Sequence, residues 1–182
     1  MLVGSAAMLV ALSLSGCFAQ ETPDATSSPS PSTTPVFASE EEALAAATEA
    51  YENYLKVSDE IFAAGGSEVR LLAAVASGAA LESGEADALE FRNLGLHSTG
   101  STSVSSMTVQ SFSADPGSTE LEITAYVCED ISSVDILDSN GKSLVAPNRP
   151  NYQPFEIGFS APGPSHELVL TKRDIWEGVG VC

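Results

Sequence analysis

Alternating apolar and polar residues mark the clearest element of the chain, a predicted strand that begins near residue 120. Apolar side chains occupy every second position of the segment ELEITAYV, and these are Leu121, Ile123, Ala125 and Val127. In an extended strand, this period of two places the apolar row on one face. The pattern is typical of an antiparallel sheet with one face on a core and the other in water. Glu129 and Asp130 interrupt the alternation, which predicts a bulge or bend at that point.

The residues that follow predict a hairpin and further strands. Residues 134–137 resume a strand, residues 138–141 (DSNG) form a turn whose Asn-Gly tolerates positive φ, and residues 142–145 return. Prolines in residues 147–154 predict a loop, because proline cannot donate a ladder hydrogen bond. Apolar residues then alternate in residues 155–159 and recur in residues 168–170, which predicts two more strands. Residues 175–182 are predicted to close the domain as a last strand.

A helical period predicts a long first helix before these strands. Ser39 and Glu42 fit a capping box, and the pair Gly65-Gly66 is expected to end the helix. Between them, apolar residues recur at the spacing of one helix face. The predicted inward residues are Leu44, Ala47, Tyr51, Leu55 and either Ile61 or Phe62.

Two weaker helices and a bent strand are predicted between the first helix and residue 115. The second helix is capped by Ser67 and interrupted at Gly78, and its predicted inward residues are Val69, Leu72, Ala73 and Ala76. The third spans residues 84–93, packs Leu89 and Leu94, and stops at Gly95. Residues 96–115 contain apolar positions of mixed parity, which indicates one long bent strand with a bulge.

Charge narrows the range of partners. The chain has 25 acidic and 7 basic residues and a net charge of −18. Such a surface repels phosphate backbones and anionic lipid, so nucleic-acid binding is not expected and neither is membrane docking by charge alone. A basic partner or a divalent cation stays open, beside the simpler interpretation of a solubilising surface.

The first residues resemble an export signal. An apolar run over residues 2–14 is too short to span a bilayer comfortably and leads into Leu14-Ser15-Gly16-Cys17. This motif resembles the lipobox of bacterial lipoproteins, although residues 1–10 lack the usual Lys or Arg. The resemblance implies that residues 1–16 are a signal peptide and that Cys17 is acylated, with palmitate among the chains. The protein would then be held on the extracytoplasmic face of the cell membrane. An ordinary cleaved signal is the alternative.

The stretch after the lipobox differs in composition from the rest. Residues 17–37 are rich in Ser, Thr and Pro and lack apolar periodicity. Such a composition cannot bury enough surface to fold, so we expect a disordered tether. A recognition motif or an O-glycosylation site within it is the alternative. The folded domain is therefore placed at residues 38–182.

Helices followed by antiparallel strands predict an α+β domain. The order resembles the nuclear transport factor 2-like superfamily in its long opening helix, its bent strand, the CEDISSVDILDSNGKSL hairpin and a terminal strand with Trp176. The resemblance implies N-terminal helices packed on a strongly bent antiparallel sheet that forms a cone. Members include isomerases, dehydratases and many non-catalytic modules, so the superfamily alone does not define an activity.

With Cys17 acylated, two of the three cysteines remain, and outside the cytoplasm an even number favours a disulfide. We predict a bond between Cys128 and Cys182, with Cys182 on one face of the last strand. No Cys-x-x-Cys spacing and no histidine cluster occurs in the sequence, so no metal or other cofactor is predicted.

No phosphate loop, nucleophile elbow or zinc-protease motif occurs in the sequence. If the cone were an enzyme of the isomerase or dehydratase type, His97 beside Asp130 or Asp135 would move the proton, whereas His166 follows a turn and is less suited. A binding protein would instead hold a small apolar ligand in a pocket lined by Tyr51, Tyr54, Phe91, Phe155 and Phe159. We predict a third role, a non-catalytic interaction module at the cell surface with an envelope protein as a possible partner.

Overall fold

A computed structural model describes residues 37–113, 120–162 and 167–182, without the side chains of residues 120, 121 and 162. The lipobox, Cys17, most of the tether and His166 lie outside the described residues. The described residues belong to one unit, Thr33–Cys182. Its elements are α1 (Glu40–Ala63), a 3-10 helix (Val69–Ala74), α2 (Gly78–Leu94), β1 (His97–Thr99), β2 (Ser103–Phe112), β3 (Glu120–Asp130), β4 (Asp135–Leu137), β5 (Tyr152–Pro162) and β6 (Val169–Ile175).

The capping box predicted for α1 is present with one change. Ser39 Oγ accepts a hydrogen bond from the Glu42 amide at 3.2 Å, while the Glu42 carboxylate accepts one from the Ala38 amide at 2.7 Å instead of from Ser39. These bonds satisfy amides that the first helical turn leaves without partners. The helix ends before the two glycines, as predicted, and its buried residues are Ala43, Ala47, Tyr51, Tyr54, Leu55 and Ile61.

The predictions for the next two helices were partly wrong. Ser67 caps no α-helix, since Val69–Ala74 is a 3-10 helix that follows Glu68. Gly78 begins α2 and does not interrupt a helix, and Gly95 ends α2 in the left-handed conformation (φ 65°), as predicted. The expected packing of Leu89 and Leu94 was also wrong. These two leucines are 47% and 60% exposed, because α2 packs through smaller residues, Ala80 and Ala88. Ala73 of the 3-10 helix, which was predicted to face inward, is exposed as well.

Four antiparallel strands form the main sheet, in the order β2-β3-β5-β6, and β1 pairs with β4 in a separate two-stranded sheet. The domain is therefore α+β, with helices packed against an open antiparallel sheet. The single bent strand predicted for residues 96–115 is wrong: it is two strands in two sheets. The chain turns between them at Gly100 (φ 79°), where a Cβ atom would lie 2.0 Å from the Ser133 carbonyl oxygen, so only glycine fits. The predicted irregularity is present inside β2, as two register shifts.

The inner face of β3 carries the apolar row that its alternation predicted. Ile123, Ala125 and Val127 are at most 1% exposed, while the side chain of Leu121 is not described. A bulge or bend was predicted near Glu129 and Asp130. A turn at residues 132–133 follows β3, and the register shift opposite Glu129 lies in β2, between Val104 and Ser106. Within β3 itself no bulge occurs, because the ladder with β5 stays in register to the end of the strand. Regular alternation therefore continues from Val127 to Glu129 and turns the Glu129 carboxylate into the core, where it is 2% exposed.

The later strands differ from their predicted bounds. β5 begins within the predicted loop and includes Pro154, and its inward residues Phe155, Ile157 and Phe159 are buried as expected. The DSNG turn is present, with the Gly141 amide donating to the Asp138 carbonyl at 2.9 Å. Residues 142–145 form only an isolated bridge with β4, whose ladder partner is β1.

The predicted disulfide joins Cys128 to Cys182, with their Cα atoms 5.2 Å apart. The expected last strand is wrong, since β6 ends at Ile175 and the residues after it are irregular. The disulfide and the Trp176 ring, which packs on Tyr126 at 4.4 Å, hold this irregular end against the outer face of the sheet. Closing a 54-residue loop stabilises the fold by about 4 kcal/mol in the chain-entropy model.

Across residues 37–113, 120–162 and 167–182, no helix has both the length and the apolar character needed to cross a bilayer.

Candidate functional site

An open pocket of about 510 Å³ lies between the two α-helices, one end of the inner sheet face and the β1–β4 ribbon. α1 contributes residues from Tyr54 to Phe62, and α2 contributes residues from Gly84 to Leu94. The main sheet contributes Glu129, Gln153 and Arg173. The apolar part of the wall consists of Leu55, Phe62, Phe91, Leu94, Leu96, Ile131, Val134 and Ile136.

Two aromatic rings form the helical wall of the pocket. Phe62 of α1 and Phe91 of α2 pack with their ring centroids 4.6 Å apart and their planes tilted by 59°. This geometry is within the favourable range for aromatic pairs. The contact joins the end of α1 to the end of α2, so the pocket wall is part of the helical packing.

A polar cluster of Tyr51, Glu129 and Arg173 lies at the inner end of the pocket. Arg173 Nη2 donates to both carboxylate oxygens of Glu129, at 2.8 and 2.9 Å, and Arg173 Nε donates to the Tyr51 hydroxyl at 2.9 Å. The Tyr51 hydroxyl in turn donates to Glu129 Oε1. The guanidinium group lies 3.6 Å from the centre of the Phe155 ring. The cluster thus links α1, β3 and β6 through charge-assisted hydrogen bonds.

Burial and charge act together on this cluster. Burial raises the pKa of Tyr51 well above its usual value, so Tyr51 stays a neutral phenol and keeps its proton for Glu129. Burial also raises the pKa of neighbouring Tyr54. For Arg173, burial opposes the charge, but the negative charge of Glu129 and its hydrogen bonds favour the charged form, and the pKa of Arg173 is raised. A charged pair with a neutral phenol results, and both Glu129 oxygens are occupied by donors.

A second carboxylate, that of Asp59, enters the pocket from α1. It accepts hydrogen bonds from the Thr102 amide at 3.0 Å and from the Thr102 hydroxyl at 3.3 Å. Partial burial raises the pKa of Asp59 although both Thr102 bonds favour the ionised form. Asp59 is therefore a half-buried carboxylate held in one position beside the apolar wall.

The guanidinium group of Arg149 supports the opposite wall. Its Nη2 atom donates to the carbonyl oxygens of Ile131 and Val134 at 2.7 and 2.8 Å. These bonds fix the corner between β3 and β4, two of whose apolar side chains line the pocket. The arginine thus acts on the backbone that shapes the site.

The structure does not place the predicted catalytic residues in the pocket. His97 lies in β1 and pairs with Leu137 of β4. Its neighbours Leu96 and Ser98 line the pocket, whereas His97 does not. Asp130 accepts a hydrogen bond from Ser132, which lowers the pKa of Asp130. Asp135 accepts bonds from the Ile136 amide and the Ser143 hydroxyl. Neither aspartate lines the pocket.

The predicted ligand pocket is partly correct. Tyr54 and Phe91 line it, whereas Tyr51, Phe155 and Phe159 belong to the packed core next to it. The sequence patterns did not indicate that Asp59, Glu129 and Arg173 line the pocket. For Glu129 a signal was present, since it continues the parity of Ile123, Ala125 and Val127. Within the described part of the chain, no three His, Cys, Asp or Glu side chains are grouped as a metal site would require.

No protein-family model matches the chain, and no curated protein sequence does either. Among solved structures, the chain is similar to the crystal structure of the intermembrane space region of chloroplast protein ARC6. The two share 20% sequence identity with a TM-score of 0.49, over 72% of this chain and 95% of that one. At this identity and TM-score, the similarity supports no conclusion about function.

Proposed function

We propose that the protein is a non-catalytic, lipid-anchored binding module that holds a small, largely apolar ligand in the pocket between its helices and its sheet. The observation that carries this proposal is the pocket itself. Its volume of about 510 Å³ lies within the roughly 300–1,000 Å³ of small-molecule sites. Its wall combines an apolar and aromatic part, which small-molecule sites share, with ten polar or charged residues.

The state of the carboxylates supports binding in preference to catalysis. Glu129 accepts from Arg173 and Tyr51, and Asp59 accepts twice from Thr102. Hydrogen bonds from donors stabilise the ionised form of a carboxylate and so make it a weaker base. Both groups are held by donors of their own protein, which suits a scaffold that shapes a site.

We further propose that the domain is a nuclear transport factor 2-like cone. A long first helix packed on a four-stranded antiparallel sheet, with a pocket at one end of the inner face, supports this assignment. The separate β1–β4 ribbon would then form the rim of the cone beside the pocket.

The lipid anchor rests on the lipobox at Leu14-Ser15-Gly16-Cys17. Two or more acyl chains hold a protein firmly at a membrane, because each buried CH₂ contributes about 0.8 kcal/mol. Replacing Cys17 with Ala should release the protein from the membrane fraction or leave it unprocessed. Unchanged retention and processing of Cys17→Ala would show that the anchor is elsewhere.

Binding is tested with a neutral fluorescent probe, N-phenyl-1-naphthylamine, and the full chain carrying Cys17→Ala. We expect a saturable rise in fluorescence with a Kd on the order of 10 μM, as for a small ligand of modest efficiency. Two exposed leucines of α2 provide a matched pair, because Leu94 lines the pocket and Leu89 does not. Leu94→Glu should weaken binding about tenfold, the cost of a charge against an apolar ligand, while Leu89→Glu should leave it unchanged. Equal effects of the two variants, or no saturable binding at all, would contradict the proposal.

A further inference from the structure

The charges that line the pocket are unequal in number. Carboxylates come from both helices and from β3, and guanidinium groups come from the β4–β5 segment and from β6. The lining acids are Asp59, Asp87, Glu90 and Glu129, and the lining bases are Arg149 and Arg173. The formal charge of the wall is therefore 2 − 4 = −2.

The acidic excess remains when the internal ion pair is set aside. Arg173 and Glu129 neutralise each other through two hydrogen bonds. The carboxylates of Asp59, Asp87 and Glu90 are left with one cation, Arg149, so the net charge of the wall stays at −2. Arg149 lies on the far wall, where one of its terminal nitrogens donates to two backbone carbonyls.

These carboxylates lie beside the aromatic part of the wall. Asp87 and Glu90 are three residues apart on α2 and so project from neighbouring positions on one side of the helix. They flank the turn that carries Phe91, whose ring packs on Phe62. A carboxylate attracts a cation, and so does the face of an aromatic ring.

We propose, on the basis of the binding function proposed above, that the pocket takes an organic cation: an ammonium group attached to an apolar body. The body packs among the apolar residues between Phe62 and Ile136, and the ammonium group lies near Asp87 and Glu90 at the α2 side. An organic anion of the same size would place its charge beside three carboxylates. The net charge of −18 on the whole chain adds a long-range attraction of the same sign.

Three probes that share a phenylbutyl group and differ only in the charged or polar end test the preference for a cation separately from binding itself. Phenylbutylamine is a cation at pH 7, phenylbutanol is neutral and phenylbutyrate is an anion. Each is titrated into the full chain carrying Cys17→Ala, and amide shifts by NMR give the affinity and the location. We expect the amine to bind about tenfold more tightly than the alcohol, since a surface ion pair and a cation–π contact together give roughly 1–2 kcal/mol. The acid should bind more weakly than the alcohol.

Two double variants of α2 locate the source of the preference. Asp87→Asn with Glu90→Gln removes two lining carboxylates, and Glu82→Gln with Glu85→Gln removes two exposed carboxylates at the same spacing outside the pocket. The first should bring the amine to within about twofold of the alcohol, an ion-pair loss of under 1 kcal/mol for each exposed carboxylate. The second should keep most of the preference. The affinity of the alcohol should not change in Glu82→Gln with Glu85→Gln, whose residues lie outside the pocket.

The outcomes point to different conclusions. If none of the probes binds, the binding function is wrong and this inference falls with it. If the alcohol or the acid binds as tightly as the amine, the binding function stands and the inference of a cationic ligand is overturned. Equal loss in both double variants would also overturn it, because the preference would then come from the net charge of the chain and not from the pocket.

Discussion

The two ends of the inner sheet face are built from the same strands but differ in what covers them. At the packed end, Ile123, Ile157 and Phe159 are at most 2% exposed, and the alanines of the first turns of α1 belong to the same core. At the pocket end, the next inward positions are Glu129, Gln153 and Arg173, and the residues of α1 that line the pocket include Ser58 and Asp59. The same paired strands therefore form a packed core at one end of the sheet and line the pocket at the other.

The difference shows where an open site can be tolerated. Apolar side chains at the packed end remove water from the sheet, which stabilises the fold by roughly 25 cal/mol for each Å² of apolar area buried. The pocket end gives up part of that burial and replaces it with the Tyr51–Glu129–Arg173 cluster, whose groups satisfy one another. The cluster lets charged groups lie next to the core without leaving an unpaired buried charge.

Replacing one phenylalanine at each end is the strongest test of this comparison. Phe159→Ala removes a ring that is 2% exposed and packs on Tyr51 at 6.3 Å, so it should lower the free energy of unfolding by about 4 kcal/mol. Phe91→Ala removes a ring that already borders the pocket, so little new cavity forms and the loss should be about 1 kcal/mol. Urea unfolding of the full chain carrying Cys17→Ala measures both, and equal losses would contradict the comparison.

The second test concerns the cluster that separates the two ends. Arg173→Met leaves the Glu129 carboxylate buried without its cation and should lower the free energy of unfolding by about 3 kcal/mol. This is the low end of the range for broken buried pairs, because the Arg173 side chain is 27% exposed. Lys172→Met is the matched control on the same strand. Its pair with Glu156 is as close, at 2.6 Å, but more exposed, so about 0.5 kcal/mol is expected.

A double substitution decides whether the loss comes from the stranded charge. Arg173→Met combined with Glu129→Leu removes both charges, and apolar replacements of a buried pair are often neutral. The double variant should therefore recover part of the stability lost in Arg173→Met, less the cost of the buried Tyr51 hydroxyl that loses both of these partners. If it is as unstable as the sum of the two single variants, the two side chains act independently and the cluster does not hold the ends together.

The packed end could be predicted from the sequence, because it obeys local rules. A period of two over residues 123–127 and 155–159 and a capping box at Ser39 specify which side chains face inward. These features depend only on neighbours along the chain. The disulfide was predicted on different grounds: with Cys17 assigned to the lipid anchor, the other two of the three cysteines allow one intramolecular pairing.

The pocket end could not be predicted in the same way. A glutamate that follows an apolar row, as Glu129 does, suggests that the buried part of the strand has ended. Burial of Glu129 is expected only when the cation that pairs with it is known. The partner, Arg173, lies 44 residues away, and only the sheet order places β6 two strands from β3. Leu89 and Leu94 posed the opposite problem. Their spacing indicated a core, but the alanines of α2 form the contact and both leucines are exposed.

The smallest expected effect concerns Asp59, the half-buried carboxylate of the pocket. Burial raises the pKa of Asp59 in the folded state above its unfolded value of about 3.9. The folded state then holds this proton more tightly, so the stabilisation is complete below pH about 4 and is lost as pH rises through the folded pKa. Asp59→Asn removes this loss and keeps polar groups within reach of Thr102. The variant should therefore be slightly more stable than the parent at pH 7.

The pH dependence distinguishes this effect from a simple change in net charge. The gain in unfolding free energy of Asp59→Asn should increase from about pH 4 upward and then level off above the folded pKa. Urea unfolding of both proteins between about pH 3.5 and 8 measures it. Asp87→Asn removes the same charge from an exposed side chain of the pocket wall, which separates burial from net charge. A loss of stability in Asp59→Asn at pH 7 would mean that the two Thr102 bonds need the full carboxylate, and that the pocket end is held together by charge at this position too.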